Sequence, residues 1–330
     1  MISEEIEKRK YNLSDISIII PTYNRSKDLH ETLFALRPFF PIIREIIVVD
    51  QSTNKEAKYV VNSFKNKKIK YVFSKTPSIT IARNLGVNNV SKNSKLLCFI
   101  DDDVNLGKSY FEEILNVFNE FPEARGVAGY VPQGVTFSKL ENFLRRIFFI
   151  SYLSVDEARI ISAYGNTYPA SLHKLIQAQW LPGVNTVYKK EVFKKQKFDE
   201  HLLGYTVAED IGFSYELWEN HPESLFITPF APVTHRISLV EREPSERISY
   251  INQVDHWYFY YRHLQKLLSQ RIIFFWSLFG ISLLRTVKMV VTRKKIDYLK
   301  WRYFFISSGY CIAHSKEIQN GNVRGFITRQ

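Results

Sequence analysis

The chain has 330 residues, 45% hydrophobic and 24% charged, a globular balance with room for one large domain or a domain and a sizeable appendage. Two cysteines, Cys98 and Cys311, exclude a disulfide framework and fit a reducing compartment, and no paired Cys/His spacing supports a structural zinc site. The formal charge of +12 is uneven, with +11 in residues 261–330 and +1 in residues 1–260, and the basic segment also holds the apolar runs IIFFWSLFGISLL and YFFI, so anionic lipid is its expected partner and nucleic acid is not.

The opening residues MISEEIEKRKYN are charged and lack an apolar stretch. Residues 1–15 therefore read as an extension without a secretory signal, and the body of the chain is expected on the cytoplasmic side. From residue 16 the pattern alternates. Short apolar runs at 16–20, 45–49, 69–73 and 96–100 read as strands. Helical spacing at 28–37, 55–64, 78–90 and 109–120 lies between and after them. Continuous apolar strands alternating with helices predict a parallel sheet covered on both faces. In such sheets ligands bind beyond the strands' carboxyl ends. The groups Pro21, Thr22, Tyr23, Asn24, then Asp50, then Asp101, Asp102, Asp103 all fall there.

Residues 121–180 are less regular, with an aromatic stretch at 143–155. A turn-rich segment from Trp180 to Asn185, a short helix at 191–197 and a helical stretch at 208–220 follow. A composition shift near 244–245 sets the expected boundary between a first domain (16–244, in halves of about 16–120 and 121–244) and a helical basic region (245–330).

Three adjacent carboxylates at a strand end repel one another unless a cation neutralises them, and hard oxygen ligands favour Mg²⁺ or Mn²⁺. The alternative is a solvated acidic turn. Asp50 can accept hydrogen bonds from a ribose or base edge, or serve as a turn residue. Arg83 can pair with Asp50 or with a phosphate. Glu209 and Asp210 open a helical stretch, where a carboxylate is either a general base or a partner of the helix dipole. His235 is a candidate metal ligand or phosphate contact, or a structural histidine.

The segments ISIIIPTYNR (16–25), EIIVVD (45–50), ARNLG (82–86), FIDDD (99–103), GVNT (183–186), EVF (191–193), FDE (198–200) and ED (209–210), in this order, resemble the family 2 glycosyltransferases over roughly 16–240. That resemblance implies the GT-A fold, a Rossmann-like, mostly parallel and doubly covered sheet. It implies inverting transfer of one sugar from a nucleotide sugar, most commonly a UDP-sugar, with Mn²⁺ or Mg²⁺ as cofactor. By the same resemblance Pro21–Asn24 and Asp50 hold the nucleoside with Arg83 beside them. Asp101 faces the nucleotide with Asp102 next to it. Asp103 binds the metal, Asp210 is the base, and Gly183 and Asn185 line the acceptor side, where Trp180 and Glu209 also fall. Two departures stand out: Gln51 follows Asp50, and Gly212 stands where many members carry an acidic residue. No Gln-x-x-Arg-Trp motif is present, which favours single transfer over polymerisation. The expected acceptor is a lipid-linked or cell-envelope glycan. A nucleotidyltransferase and a catalytically silent nucleotide-sugar-binding scaffold are the competing classes. The first strand running into Pro-Thr-Tyr-Asn rather than a Gly-rich phosphate loop argues against the former.

The apolar stretch 272–284 is thirteen residues long and is followed by Arg285 and Lys288. A span needs ~20 apolar residues. A helix lying in the interface is expected instead, with Arg271, Arg285, Lys288 and Arg293–Lys295 toward headgroups and Trp276 and Trp301 at the same depth. A helix packed on the domain and a membrane span are the alternatives.

Overall fold

A computed structural model describes residues 11–132, 136–236 and 245–326. Its central strands form at the short apolar runs, three of them buried along their whole length. β1 (Ile16–Thr22), β2 (Glu45–Asp50), β3 (Ile69–Phe73) and β4 (Leu96–Ile100) alternate with α1 (Ser26–Ala35), α2 (Glu56–Ser63) and α3 (Ile79–Asn89). These are the elements the sequence predicts, to within a few residues. There follow β5 (Val104–Leu106), α4 (Tyr110–Glu120), β6 (Gly126–Gly129) and α5 (Lys139–Ile147). Next come β7 (Tyr152–Ser154), β8 (Ile160–Ser162), β9 (Gly165–Pro169), β10 (Ile176–Gln177) and β11 (Asn185–Lys189). The domain finishes with α6 (Glu209–Asn220), β12 (Leu225–Thr228) and β13 (Val233–His235).

Eight strands make one sheet in the order β10-β12-β6-β11-β4-β1-β2-β3. β11 runs antiparallel to both its neighbours and β10 antiparallel to β12; the other six strands are mutually parallel. Alternate residues of one strand feed opposite layers. Ile18, Ile20, Val48 and Cys98 pack with Leu33, Val61 and Phe118 of α1, α2 and α4. Ile19, Ile47, Leu97 and Phe99 pack with Ala82, Phe213 and Leu217 of α3 and α6. The mostly parallel, doubly covered sheet is as expected. The segment read as irregular in fact supplies β6 and β10 to it, besides α5 and a small three-stranded sheet.

Residues 11–15 are not a loose extension. Tyr11 and Asn119 of α4 exchange hydrogen bonds of 2.7 and 3.1 Å, and Asn12 caps a turn of 3₁₀ helix at Leu13–Asp15. Residues 1–10 lie outside the described residues, as does Pro244 on one side of the expected boundary. From Ser245 the chain is helical: α7 (Ser245–Phe259), a π-turn (Tyr260–Leu264), α8 (Leu268–Thr292), α9 (Lys295–Ala313) and α10 (Ser315–Gln319). Val254, Trp257, Phe274, Cys311 and Phe326 share a core with Tyr164 and Leu202 of the first domain. α8 thus packs along one side, while much of its other side stays exposed. Arg285 departs from its expected headgroup position: it lies over the Phe304 ring and donates to the Lys300 carbonyl at 2.9 Å. Trp301 likewise turns inward, donating to Thr286 Oγ1 at 3.0 Å.

Candidate active site

The loops after β1 and β2 are knitted together. Asn24 adopts a left-handed backbone (φ 53°), which asparagine tolerates well. Its N–H donates to Ser52 Oγ at 2.8 Å and its Oδ1 accepts from the Thr53 N–H at 3.0 Å. Pro21 and Thr22 are buried in β1, and Tyr23 is half-buried beyond it. Asp50 is fully covered: Oδ1 accepts from the Ser52 N–H at 2.8 Å and Oδ2 from the Tyr71 hydroxyl at 2.7 Å. In this structure Asp50 fixes the loop, and a nucleoside reaches it only after that cover shifts. Gln51 is a clamp, donating from Nε2 to the Thr76 and Ser78 carbonyls at 2.6 and 2.9 Å.

The three aspartates after β4 diverge. Asp102 turns away from its neighbours: its Oδ2 accepts from Thr22 Oγ1 at 2.7 Å and its Oδ1 lies 3.5 Å from Arg25 Nη1. Its carbonyl accepts from Thr32 Oγ1 at 2.6 Å. Burial pushes its carboxyl up to about 7, against the Thr22 hydrogen bond and Arg25. In this structure Asp102, expected near the nucleotide, braces the β1–α1 loop.

Asp103 shares Arg25 with Asp102, its Oδ2 lying 3.9 Å from Arg25 Nη1, while its Oδ1 and the Asp101 carboxylate converge on His235. β13 pairs with β5 so that His235 lies opposite Val104, which sets His235 Nε2 3.0 Å from Asp103 Oδ1. One ligand atom each from Asp101, Asp103 and His235 lie within 4.8 Å of one another. The Asp101 carboxyl is raised by burial, opposed by Arg83 and reinforced by the Asp103 charge. His235 is raised chiefly by its hydrogen bond to Asp103. Two carboxylates and an imidazole converging at a strand end fit a divalent cation, which would relieve the repulsion between Asp101 and Asp103. Arg236, which sequence reasoning passed over, braces this turn. Its N–H donates to the Asp103 carbonyl at 2.9 Å, and its guanidinium donates to the Asp28 carbonyl at 3.1 Å and Thr32 Oγ1 at 2.9 Å.

Arg83 is buried on α3 and joins this cluster to α6. Its Nη2 lies 3.5 Å from Asp101 Oδ1 and donates to the Gly183 carbonyl at 3.1 Å; its Nη1 donates to Glu209 Oε1 at 3.3 Å. The expected alternative of an Arg83–Asp50 pair is overturned, because Nη1 is taken by Glu209 of α6 and Nη2 by Asp101 and the Gly183 carbonyl. Asp210, on the first turn of α6, accepts from the Gly183 N–H at 2.6 Å through Oδ2 and from the Ile211 N–H at 2.7 Å through Oδ1. A Cβ at position 183 would lie 2.9 Å from Asp210 Cβ and 3.0 Å from Arg83 Nη2, so glycine is required there. Burial raises the Asp210 carboxyl, opposed by Arg83 and those backbone donors. Glu209 is pushed up to about 8 by burial and by the Asp210 charge, against Arg83. Two adjacent carboxyls thus sit in unlike settings, the arrangement that lets one stay ionised and act as a base.

Asn185 and Trp180, expected on the acceptor side, are inside the fold. Asn185 is fully buried; its Oδ1 accepts from the Gly129 N–H at 2.7 Å and the Tyr110 hydroxyl at 3.0 Å, and its Nδ2 donates to the Gly129 carbonyl at 3.2 Å. It ties β11 to β6 from inside the sheet. Trp180 is buried and donates from Nε1 to the Thr167 carbonyl at 3.2 Å. A second feature the sequence did not show is the hold on the loop leading into α6. Buried Arg324 donates to Asp255 Oδ1 at 2.6 Å, to the Leu203 carbonyl at 2.8 Å and to the Tyr205 carbonyl at 3.0 Å. Thr206 Oγ1 donates to Asp255 Oδ2 at 2.7 Å.

The model of the family described as glycosyl transferase family 2 matches residues 17–195. Validoxylamine A glucosyltransferase of Streptomyces hygroscopicus subsp. limoneus is 34% identical over 105 residues, 30% of this chain and 23% of that protein. The minor teichoic acid biosynthesis protein GgaA of Bacillus subtilis (strain 168) is 30% identical over 108 residues, 31% of this chain and 24% of that protein. The chain thus spans about a quarter of the length of these relatives. Among solved structures, GalNAc-T7 with UDP, GalNAc and Mn²⁺ superposes with a TM-score of 0.54 at 15% identity, over 76% of this chain and 51% of that one. That likeness concerns the fold, which is GT-A. With the family match covering more than half its residues, the chain belongs to glycosyl transferase family 2.

Proposed function

We propose that this protein transfers a single sugar from a nucleotide sugar, with UDP as the first candidate carrier, to a hydroxyl of a lipid-linked or cell-envelope glycan, with inversion at C1. The observation that carries this reading is the link made by Arg83 between the Asp101–Asp103–His235 cluster and the Glu209–Asp210 pair. A bound Mn²⁺ or Mg²⁺ would supply Lewis-acid neutralisation of the leaving diphosphate. Asp101, Asp103 and His235 would hold it, and the imidazole nitrogen favours Mn²⁺ over Mg²⁺. Asp210 Oδ accepts the acceptor's hydroxyl proton as the hydroxyl oxygen bonds to C1 and the C1–O bond to the diphosphate breaks. The Gly183 and Ile211 N–H groups hold that carboxylate in place and oppose the rise that burial imposes on it.

The envelope acceptor is supported by the likeness to the teichoic acid biosynthesis protein and by the basic, apolar C-terminal region. That region would hold the enzyme against anionic lipid at the cytoplasmic face of the membrane. The test of donor use is a thermal-shift screen of UDP-, GDP- and dTDP-sugars with Mn²⁺. A donor at ~100 times its Kd should add about 2.7 kcal/mol, and the shift should vanish with chelator. A shift indifferent to chelator, or none with any donor, overturns the reading.

A further inference from the structure

Helix α5 is amphipathic the wrong way round for a helix on a protein surface. It has no buried residue, and Leu140, Phe143 and Ile147, at i, i+3 and i+7, are 67%, 58% and 42% exposed. A surface helix ordinarily turns that stripe inward. The outward side of α8 repeats the pattern: Leu268, Ile272, Phe275 and Phe279 are 72%, 63%, 60% and 53% exposed at spacings of three and four. The two stripes meet. Trp276 of α8 donates from Nε1 to the Ile147 carbonyl at 2.8 Å, and the Phe148 ring lies 5.4 Å from Trp276 and 6.2 Å from Phe279. Gly280 lets α8 come this close, since a Cβ there would lie 2.3 Å from Phe148 Cβ.

α8 is the one described helix long and apolar enough to cross a membrane. Its middle, however, is fastened to the domain. Ser277 Oγ donates to the Phe149 carbonyl at 3.2 Å and lies 3.2 Å from Ser162 Oγ. A spanning orientation would drag these polar contacts, and the strand that carries Ser162, into hydrocarbon. An in-plane orientation leaves them at the protein side and turns the stripe toward lipid. The charge fits an anionic partner: Arg271, Lys288 and Arg293–Lys295 are exposed on the α8 side, and Lys139 and Arg146 on the α5 side.

We propose that α5 and α8 together form one docking face for an anionic bilayer surface, so that a helix inserted in the glycosyltransferase domain itself, and not only the C-terminal region, enters the lipid interface. Two anchors from separate parts of the chain fix the domain's tilt as well as its distance from the membrane. The proposal deepens the reading of an enzyme held at a lipid surface, but its test needs no turnover.

The test is flotation of the whole protein with vesicles of phosphatidylcholine alone or mixed with phosphatidylglycerol. The parent should float with the mixed vesicles and not the neutral ones, and less so as salt rises. A Leu140→Ser/Phe143→Ser variant should bind at least about ten-fold more weakly, with its Tm unchanged, because both side chains are already exposed. Ile272→Ser/Phe275→Ser on α8 should do the same. An α5 variant that floats like the parent while the α8 variant does not would overturn the role of α5. Failure of the parent to bind either vesicle would overturn the whole face. So would parent dimers in lipid-free sedimentation that the α5 variant dissolves, since the occupant would then be a second copy. Donor-induced thermal shifts should be the same in all variants; their absence with vesicle binding intact would count against the catalytic reading alone.

Discussion

Replacing Asp210 by asparagine separates a base from a binding residue. Asparagine keeps the shape but offers one acceptor oxygen and one NH₂. Asp210 receives the Gly183 N–H at 2.6 Å on Oδ2 and the Ile211 N–H at 2.7 Å on Oδ1. Whichever way the amide turns, one backbone N–H then faces a donor. A stranded donor costs ~1–3 kcal/mol. Removing a charge that crowds Glu209 and Asp101 offsets part of this. The net loss expected is ~1–2 kcal/mol, a fall of about 1.5–3 °C in Tm for a chain of 330 residues. Turnover, followed as nucleoside diphosphate release well below that Tm, should fall by ~10²–10⁴. The donor Kd, measured by calorimetry, should stay within about two-fold. Unchanged turnover with a weakened donor Kd would refute the reasoning and make Asp210 a binding group.

Asp103→Ala should abolish Mn²⁺ binding by calorimetry while leaving a folded protein, because Asp101 and His235 alone cannot complete the site; undiminished binding would sink the assignment. Glu209 should make stability fall with rising pH. Its carboxyl goes from an ordinary 4.5 to about 8 on folding, so the folded protein holds a proton that the unfolded chain releases. That contribution is complete below 4.5 and lost as pH rises through about 8. The Tm of Glu209→Gln relative to the parent should therefore climb between about pH 5 and pH 9, and a falling difference would reverse the sign of the argument. Arg324→Ala leaves the fully buried Asp255 carboxylate without its guanidinium. It should cost ~3–5 kcal/mol in urea unfolding, and a loss below about 1 kcal/mol would show that the loop is held by other contacts.

What the sequence made legible follows from where the signal is local. β1, β2 and β4 are buried on both faces, so 16–20, 45–49 and 96–100 are apolar apart from the buried Ser17 and Glu45. β6 is only Gly-Val-Ala-Gly, and its glycine at 126 is dictated by Tyr188 and Leu225 packing across it, which no local pattern shows. Asp103 and His235 are metal candidates from the sequence and Asp101 a nucleotide contact; the register of β13 on β5 that brings all three together links residues about 130 positions apart. Asp102 carries the same residue type as its neighbours but points to Thr22, a distinction of backbone direction alone. Asn185 ends a turn-rich stretch and is expected on the acceptor side, whereas it begins a buried strand. The charge imbalance pointed to the C-terminal region, which is helical from Ser245. It did not show that Arg285 and Trp301 serve the packing of α8 on α9, nor that α5 turns its apolar side outward.

Nucleoside diphosphate formed from a panel of nucleotide sugars, with Mn²⁺ and a crude envelope glycan as acceptor, tests the central claim most directly. The account predicts release from at least one donor, most readily a UDP-sugar, that stops on chelation, is absent in Asp103→Ala and is slowed ~10²–10⁴-fold in Asp210→Asn. Release that survives both chelation and loss of Asp103, or no release from any donor by folded protein, would contradict it.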